Sequence, residues 1–213
     1  MRLFIFIIII TTAFQIKAQE SLCKKFKALS RPEKCWVIWH PFIAKKTNQI
    51  SLEARKFANE ALKDTLLDGD GNGGQVDAFR HSLWMAMLAR EIRIKAAKKL
   101  GNAHERGNYL DYKKHRTEEG TLPDEQSCQM DFLNNDAGIQ IGISHKNETI
   151  DSLKNYIKNE IITGKLWIIK KDKSGNFINC NGSILMPEEY IGKWENEKCI
   201  VSSDFRKKST NNQ

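Results

Sequence analysis

Several common signatures are missing from this 213-residue chain. No Cys-x-x-Cys pair occurs among its five cysteines, which excludes the usual zinc-ribbon spacing. After the first residues no second long apolar run appears, so no membrane-spanning helix is expected. There is no internal repeat, no lipobox before Cys23, and no dense basic stripe interleaved with aromatics. The formal charge of +8 comes from scattered pairs such as Lys45-Lys46, Lys98-Lys99, Lys113-Lys114 and Lys170-Lys171, with acids between them. Nucleic acid is therefore not the expected partner, while attraction to anionic membranes or cell-wall polymers fits.

What is present begins with MRLFIFIIIITTAFQIKAQE. Arg2 is a short basic start, Leu3 to Ile10 is unbroken and apolar, and Ala18 is a small residue suited to cleavage. Residues 1–18 are expected to be a signal peptide, too short to span a bilayer. Loss of Arg2 and Lys17 with it lowers the charge to +6. The remaining chain is expected to be periplasmic or secreted, where disulfides are permitted. The sequence-local pairings are Cys23 with Cys35 and Cys180 with Cys199, which leaves Cys128 odd.

The fold class expected is mainly α. A helical domain at residues 19–165 carries a small β-hairpin unit at 166–201, then a disordered polar tail at 202–213. Residues 19–50, with Pro32, Pro41 and the aromatics Trp36, Trp39 and Phe42, are expected to be irregular and to pack those aromatics on the body. Helices are predicted from Ser51, from Asp77 to Leu100 with Gly101 as C-terminal cap, from Ser127, and from Thr149. A short turn carries His104 and Glu105, and 107–126 is a surface loop. Gly138 and Gly142, four apart, allow another helix to come close. The segment from Lys165 to Cys180 predicts a hairpin turning at Ser174-Gly175-Asn176.

The chemistry concentrates after DGDGNGG. Asp68, Asp70 and Asn72 alternate like calcium-loop ligands, but the twelfth position falls on Phe79, not on the bidentate Glu that such a loop requires. Asp77, at the tenth, is the nearest carboxylate. The other reading is a Gly-rich turn whose Asp and Asn side chains satisfy local backbone. Asp77 and His81 share a helix face, so an Asp can orient a His; Arg80 beside them suits a phosphate or carboxylate. Downstream, Asp131, Asn134 and Asn135 interrupt an apolar helix, and burying such groups is costly unless they are paired. If three segments meet, Asp77, Arg80, His81, His104, Glu105, Asp131 and Asn135 surround one pocket. His81, His104 and Asp131 are its candidate ligands for a divalent metal, zinc or calcium. A buried structural network is the alternative.

DAFRHSLWMA, then LGNAHE, then MDFLNNDAGIQIG, resemble in that order a bacterial domain family of unestablished activity, found in exported proteins and toxin-like repeat proteins. The resemblance spans roughly residues 36–145, and WVIWHPFIAKK is similar to exported relatives. It implies a shared polar site at Asp77, Arg80, His81, His104, Glu105, Asp131, Asn134, Asn135 and Gly138, and names no reaction. The function expected is a metal-assisted hydrolase acting on a phosphodiester, lipid or envelope substrate. Its rival is a non-enzymatic envelope binding protein, stabilised by calcium at Asp68, Asp70 and Asn72.

Overall fold

The computed structural model describes residues 23–117 and 120–205. The expected signal peptide lies outside them. In chain order come α1 (Arg31–Trp39), α2 (Pro41–Ala61), α3 (Gln75–Glu91), α4 (Ile94–Tyr112), α5 (Glu125–Ser144), α6 (Ile150–Ile162), β1 (Trp167–Ile169), α7 (Pro187–Tyr190) and β2 (Ile200–Ser202). The fold is mainly α, with one small antiparallel ladder, as the patterning predicts. No helix among the described residues is long and apolar enough to cross a membrane.

The prolines expected to break residues 19–50 instead start helices. Ser30 and Glu33 form a reciprocal capping box at α1, with Pro32 in its first turn. Pro41 opens α2; a residue before proline is pushed out of the helical region, so His40 makes the corner between the two. Ser51 therefore lies inside α2 and caps nothing. Its hydroxyl donates to Thr47 O and accepts from Trp84 Nε1. Of the three aromatics expected on the body, Trp36 is buried and donates to Ala96 O, but Trp39 and Phe42 are 81% and 99% exposed.

α3 is buried on nearly every side and packs against α2, α4, α5, α6 and β1. A sequence apolar all round suits that central place. It stops before Ile92, which turns extended and joins the core, so the single helix expected to run to Leu100 is two. α4 then runs through His104 and Glu105 to Tyr112, well into the expected loop. Gly101 is interior to it and faces Met85 and Asn135. α5 is capped by Asp124, which accepts from Ser127 N; the cap is three residues earlier than expected. α6 starts at Thr149 as predicted.

α3 and α5 form the closest helix pair. An ideal Cβ at Gly138 would lie 2.3 Å from Ser82 O, and one at Gly142 would lie 2.4 Å from Ala86 O. The two glycines are what lets the backbones touch.

β1 pairs with β2, in register Trp167↔Ser202, Ile168↔Val201 and Ile169↔Ile200, rather than with the segment just after it. The reason is burial: Ile168 and Ile169 belong to the core, and β2 covers them. The expected turn is present just beyond β1, where Lys171 bridges Phe177, Asp172 N donates to Asn176 O and Ile178 N donates to Lys170 O. Cys180–Cys199 is disulfide-bonded, whereas Cys23 and Cys35 sit exposed on separate helical segments without a bridge. Cys128 is buried. The expected tail is ordered at its start: Ser203 is fully buried and donates to Ile161 O. Residues 206–213 lie outside the described part.

Candidate functional site

The first turns of α3 project Asp77, Arg80 and His81 toward α5, which answers with Asp131 and Asn135. His81 is buried. Its Nε2 lies 3.3 Å from Asp131 Oδ1 and 3.5 Å from Asp77 Oδ1. The three candidate ligand atoms of Asp77, His81 and Asp131 all fall within 4.8 Å of one another. Arg80 Nη2 stands 2.6 Å from Asp77 Oδ1 and 3.2 Å from His81 Nε2.

The other side of the ring fixes its tautomer. Glu105, buried on α4, is approached by Asn108 Nδ2 at 3.1 Å and Asn135 Nδ2 at 3.3 Å. A carboxylate only accepts, so both amides present their NH2 groups to it. Asn135 must then turn Oδ1 to His81 Nδ1, 3.3 Å away. Nδ1 carries the proton and donates. Nε2 is left with its lone pair toward the two aspartates and the Arg80 guanidinium. A relay of this kind sets which nitrogen can bind a metal or take a proton.

Two openings reach the cluster. His81, Arg80, Trp84 and His104 line one end of a cavity of about 590 Å³ between α1, α2 and the α3–α4 pair. Asp77, Arg80 and Asp131 line a small polar cleft of about 40 Å³ on the other side, with Asn108 and Thr121. Arg80 touches both.

The remaining expected residues are placed differently. His104 belongs to the cavity wall. Its ring centroid is 6.2 Å from that of His81, it meets the Trp84 ring edge-on, and its Nδ1 is 3.2 Å from Glu33 Oε1. Asn134 is turned away from the cluster. It donates to Trp167 O and accepts from Trp167 N, holding β1 like an additional strand residue. Gly138 contributes the close helix contact.

The acidic loop is closed by its own chain. Asp68 Oδ1 accepts from Asp70 N and Gln75 N, capping α3 in place of Gly74, which has no side chain to do so. Asp70 Oδ2 and Asn72 O both lie 2.6 Å from Lys171 Nζ. An ammonium thus holds one of the carboxylate oxygens that a calcium ion would use, that of Asp70. Asp77 serves both neighbours: Oδ2 accepts from Gly73 N at 2.7 Å, while Oδ1 faces Arg80 and His81.

Glu33, Asn108 and Lys171 were not expected here. The Ser30-x-x-Glu33 capping signature was visible, and Asn108 stands one turn after Glu105. Lys171 has no local signal.

Burial raises the Glu33 pKa. The hydrogen bond and charge of His104, with Ser30, pull it down further, so it ends below the ordinary value of 4.5.

A helical domain with a buried imidazole between two aspartates, beside a large cavity, is the class that this geometry defines. Residues 34–165 match the family model described as a domain of unknown function (DUF6973), and the chain belongs to that family. No curated protein and no solved structure matches the chain.

Proposed function

We propose that the protein is an exported hydrolase, metal-assisted, that cleaves a phosphodiester or ester in a lipid or other envelope component. One observation carries this reading. His81 Nε2 faces Asp77 Oδ1 and Asp131 Oδ1, while Nδ1 is locked through Asn135 to Glu105. A catalytic zinc has three protein ligands, with bonds of about 2.0–2.2 Å, and an open fourth position. Tetrahedral bonds of that length set ligand atoms about 3.3–3.5 Å apart, which is the spacing on both sides of Nε2.

In this reading Asp77, His81 and Asp131 would hold a divalent ion, which would supply Lewis-acid activation of a water nucleophile. Arg80 Nη2 stands against Asp77 and His81 and would have to leave them to make room for it. Arg80 then turns to the cavity and binds the anionic part of the substrate. Glu105 and Asn135 position His81. Should activity instead persist with chelator, His81 Nε2 would be the general base and Asp131 would stabilise the imidazolium. The Cys180–Cys199 bridge and the signal-like start support export.

The test is hydrolysis of a panel of phospholipids, cyclic and linear phosphodiesters and acyl esters, with and without added zinc. Wild type is expected to act on at least one and to lose that activity with chelator. His81→Ala and Asp131→Asn are expected to lose it while melting within a few degrees of wild type. A folded His81→Ala chain that keeps every detected activity refutes the assignment.

The continuous chain Asn108–Glu105–Asn135–His81 also suits a non-enzymatic envelope protein whose network is structural. That reading predicts large stability losses in His81→Ala and Asn135→Ala, whereas catalytic positions are often neutral or stabilised on replacement.

A further inference from the structure

The 590 Å³ cavity is within the range of about 300–1,000 Å³ that ligand sites occupy. Its walls are apolar: Leu29, Val37, Pro41, Ala44, Trp84 and Leu100 among them. Charge enters only at particular places. Lys25, Lys45 and Arg55 are exposed at the rim, and Arg80 stands at the inner end beside His81. Glu33 is the one acidic side chain on the lining, and it meets His104. An apolar bore with a cationic rim and a guanidinium at its end fits an apolar chain carrying an anionic group.

The corner between α1 and α2 adds a second observation. Ile38, Trp39 and Phe42 alternate along the chain with the lining residues Val37, Pro41 and Ala44, yet point outward, 64%, 81% and 99% exposed. Lys45 and Lys46 follow at once. Exposed Trp and Phe beside lysines are the composition of segments that rest in the interface of an anionic bilayer.

We propose that this cavity binds the acyl chain of an anionic lipid, taken from a bilayer on which the α1–α2 corner is seated. The proposal depends on the hydrolase reading only for which bond is cut. Binding is a separate property, and it is read here without turnover.

Two measurements on the processed full-length protein test it. In calorimetric titrations of monomeric octyl, decyl and dodecyl phosphate, affinity is expected to rise about tenfold for each two methylenes added. Dodecyltrimethylammonium is expected to bind at least tenfold more weakly than dodecyl phosphate. Val37→Trp, which fills the bore, should lose at least tenfold in affinity; Leu29→Trp serves if that variant fails to melt cooperatively. Chain-length independence, preference for the cation, or a folded filled variant that binds like wild type overturns the cavity assignment. In flotation, the protein is expected to rise with vesicles containing phosphatidylglycerol and to stay behind with phosphatidylcholine alone. The double variant Trp39→Ser, Phe42→Ser should lose most of that binding, at least fivefold. Unchanged flotation of the double variant, or equal flotation with both vesicles, overturns the membrane-seated corner. Binding with normal chain dependence but no turnover on the panel would leave this proposal standing and refute the hydrolase reading instead.

Discussion

Gly138→Ala tests the contact on which the site depends. The added Cβ would stand 2.3 Å from Ser82 O and 2.8 Å from Ser82 Cα, where ordinary contact begins near 3.4 Å. Those are backbone atoms and cannot rotate aside, so α3 and α5 must part by about 1 Å, and overpacking of this kind costs about 1–3 kcal/mol. Alanine is the better helix former by up to about 1 kcal/mol, which offsets part of that. A net loss of about 1–2 kcal/mol lowers the melting temperature by about 2–8 °C for a chain of this size. Gly142→Ala meets Ala86 O in the same seam, and one outward shift relieves both clashes. The double variant should therefore lose less than the sum of the singles. Gly175→Ala is the control, with φ of +88° and nothing within 4 Å, and should cost about 1–2 kcal/mol from backbone alone. The spans from His81 to Asp131 and to Asn135, 3.3 Å each, cross this seam. On the proposed hydrolase reading, metal affinity and activity should then fall further than the fraction unfolded explains. Calorimetric melting of the four variants decides it. A Gly138→Ala chain that melts at or above wild type refutes both the contact and the site spacing it sets.

Asn134→Ala should cost about 2–4 kcal/mol in denaturant titration, because it strips the partners from the Trp167 N–H and carbonyl. Activity per folded molecule should not change, since Asn134 points away from His81. Glu33 has a lowered pKa when folded, so it binds fewer protons in the native than in the unfolded chain. Its contribution is present above pH about 4.5 and is lost as pH falls through the folded value. Glu33→Gln should flatten the acid side of a melting-temperature profile, and an unchanged acid slope would sink that attribution. Millimolar calcium should leave the wild-type melting temperature unmoved, because Lys171 holds Asp70 and Asn72. In Lys171→Ala, which starts less stable, calcium should restore part of the loss; a rise of several degrees in wild type would show a calcium loop after all.

Pairs within one helix were legible in the sequence. Asp77 with His81 and Asp131 with Asn135 are each four apart, and helix geometry alone puts each pair on one face. That the two pairs meet was only half legible: Gly138 and Gly142 announce a close partner without saying that it is α3. Asn134 looked like a site residue because a buried amide demands a partner, yet its partner is a strand 33 residues further on. The break at Ile92 has no glycine or proline to mark it, since burial of that side chain decides it. Pro32 and Pro41 were misleading for a local reason. Proline suits the first turn of a helix as well as a loop, and the Ser30-x-x-Glu33 box was the clue that separates the two.

Asp77 joins the loop to the His81 cluster. One carboxylate oxygen accepts from Gly73 N, which fixes the rotation of the group; the other is thereby aimed at Arg80 and His81. Gly73 is itself placed by the turn that Asp68 and Asp70 organise, and that turn is held by Lys171 from beyond residue 165. Ile169 N donates to Gly73 O at 2.7 Å, so β1 grips the same residue from the other side. The family-matched residues thus contain every group around His81, but the aim of one of them is set by the C-terminal segment. Loosening that segment should first appear as a weakened Asp77–His81 relation, before any loss of the helical core, because the α3–α5 seam does not pass through it.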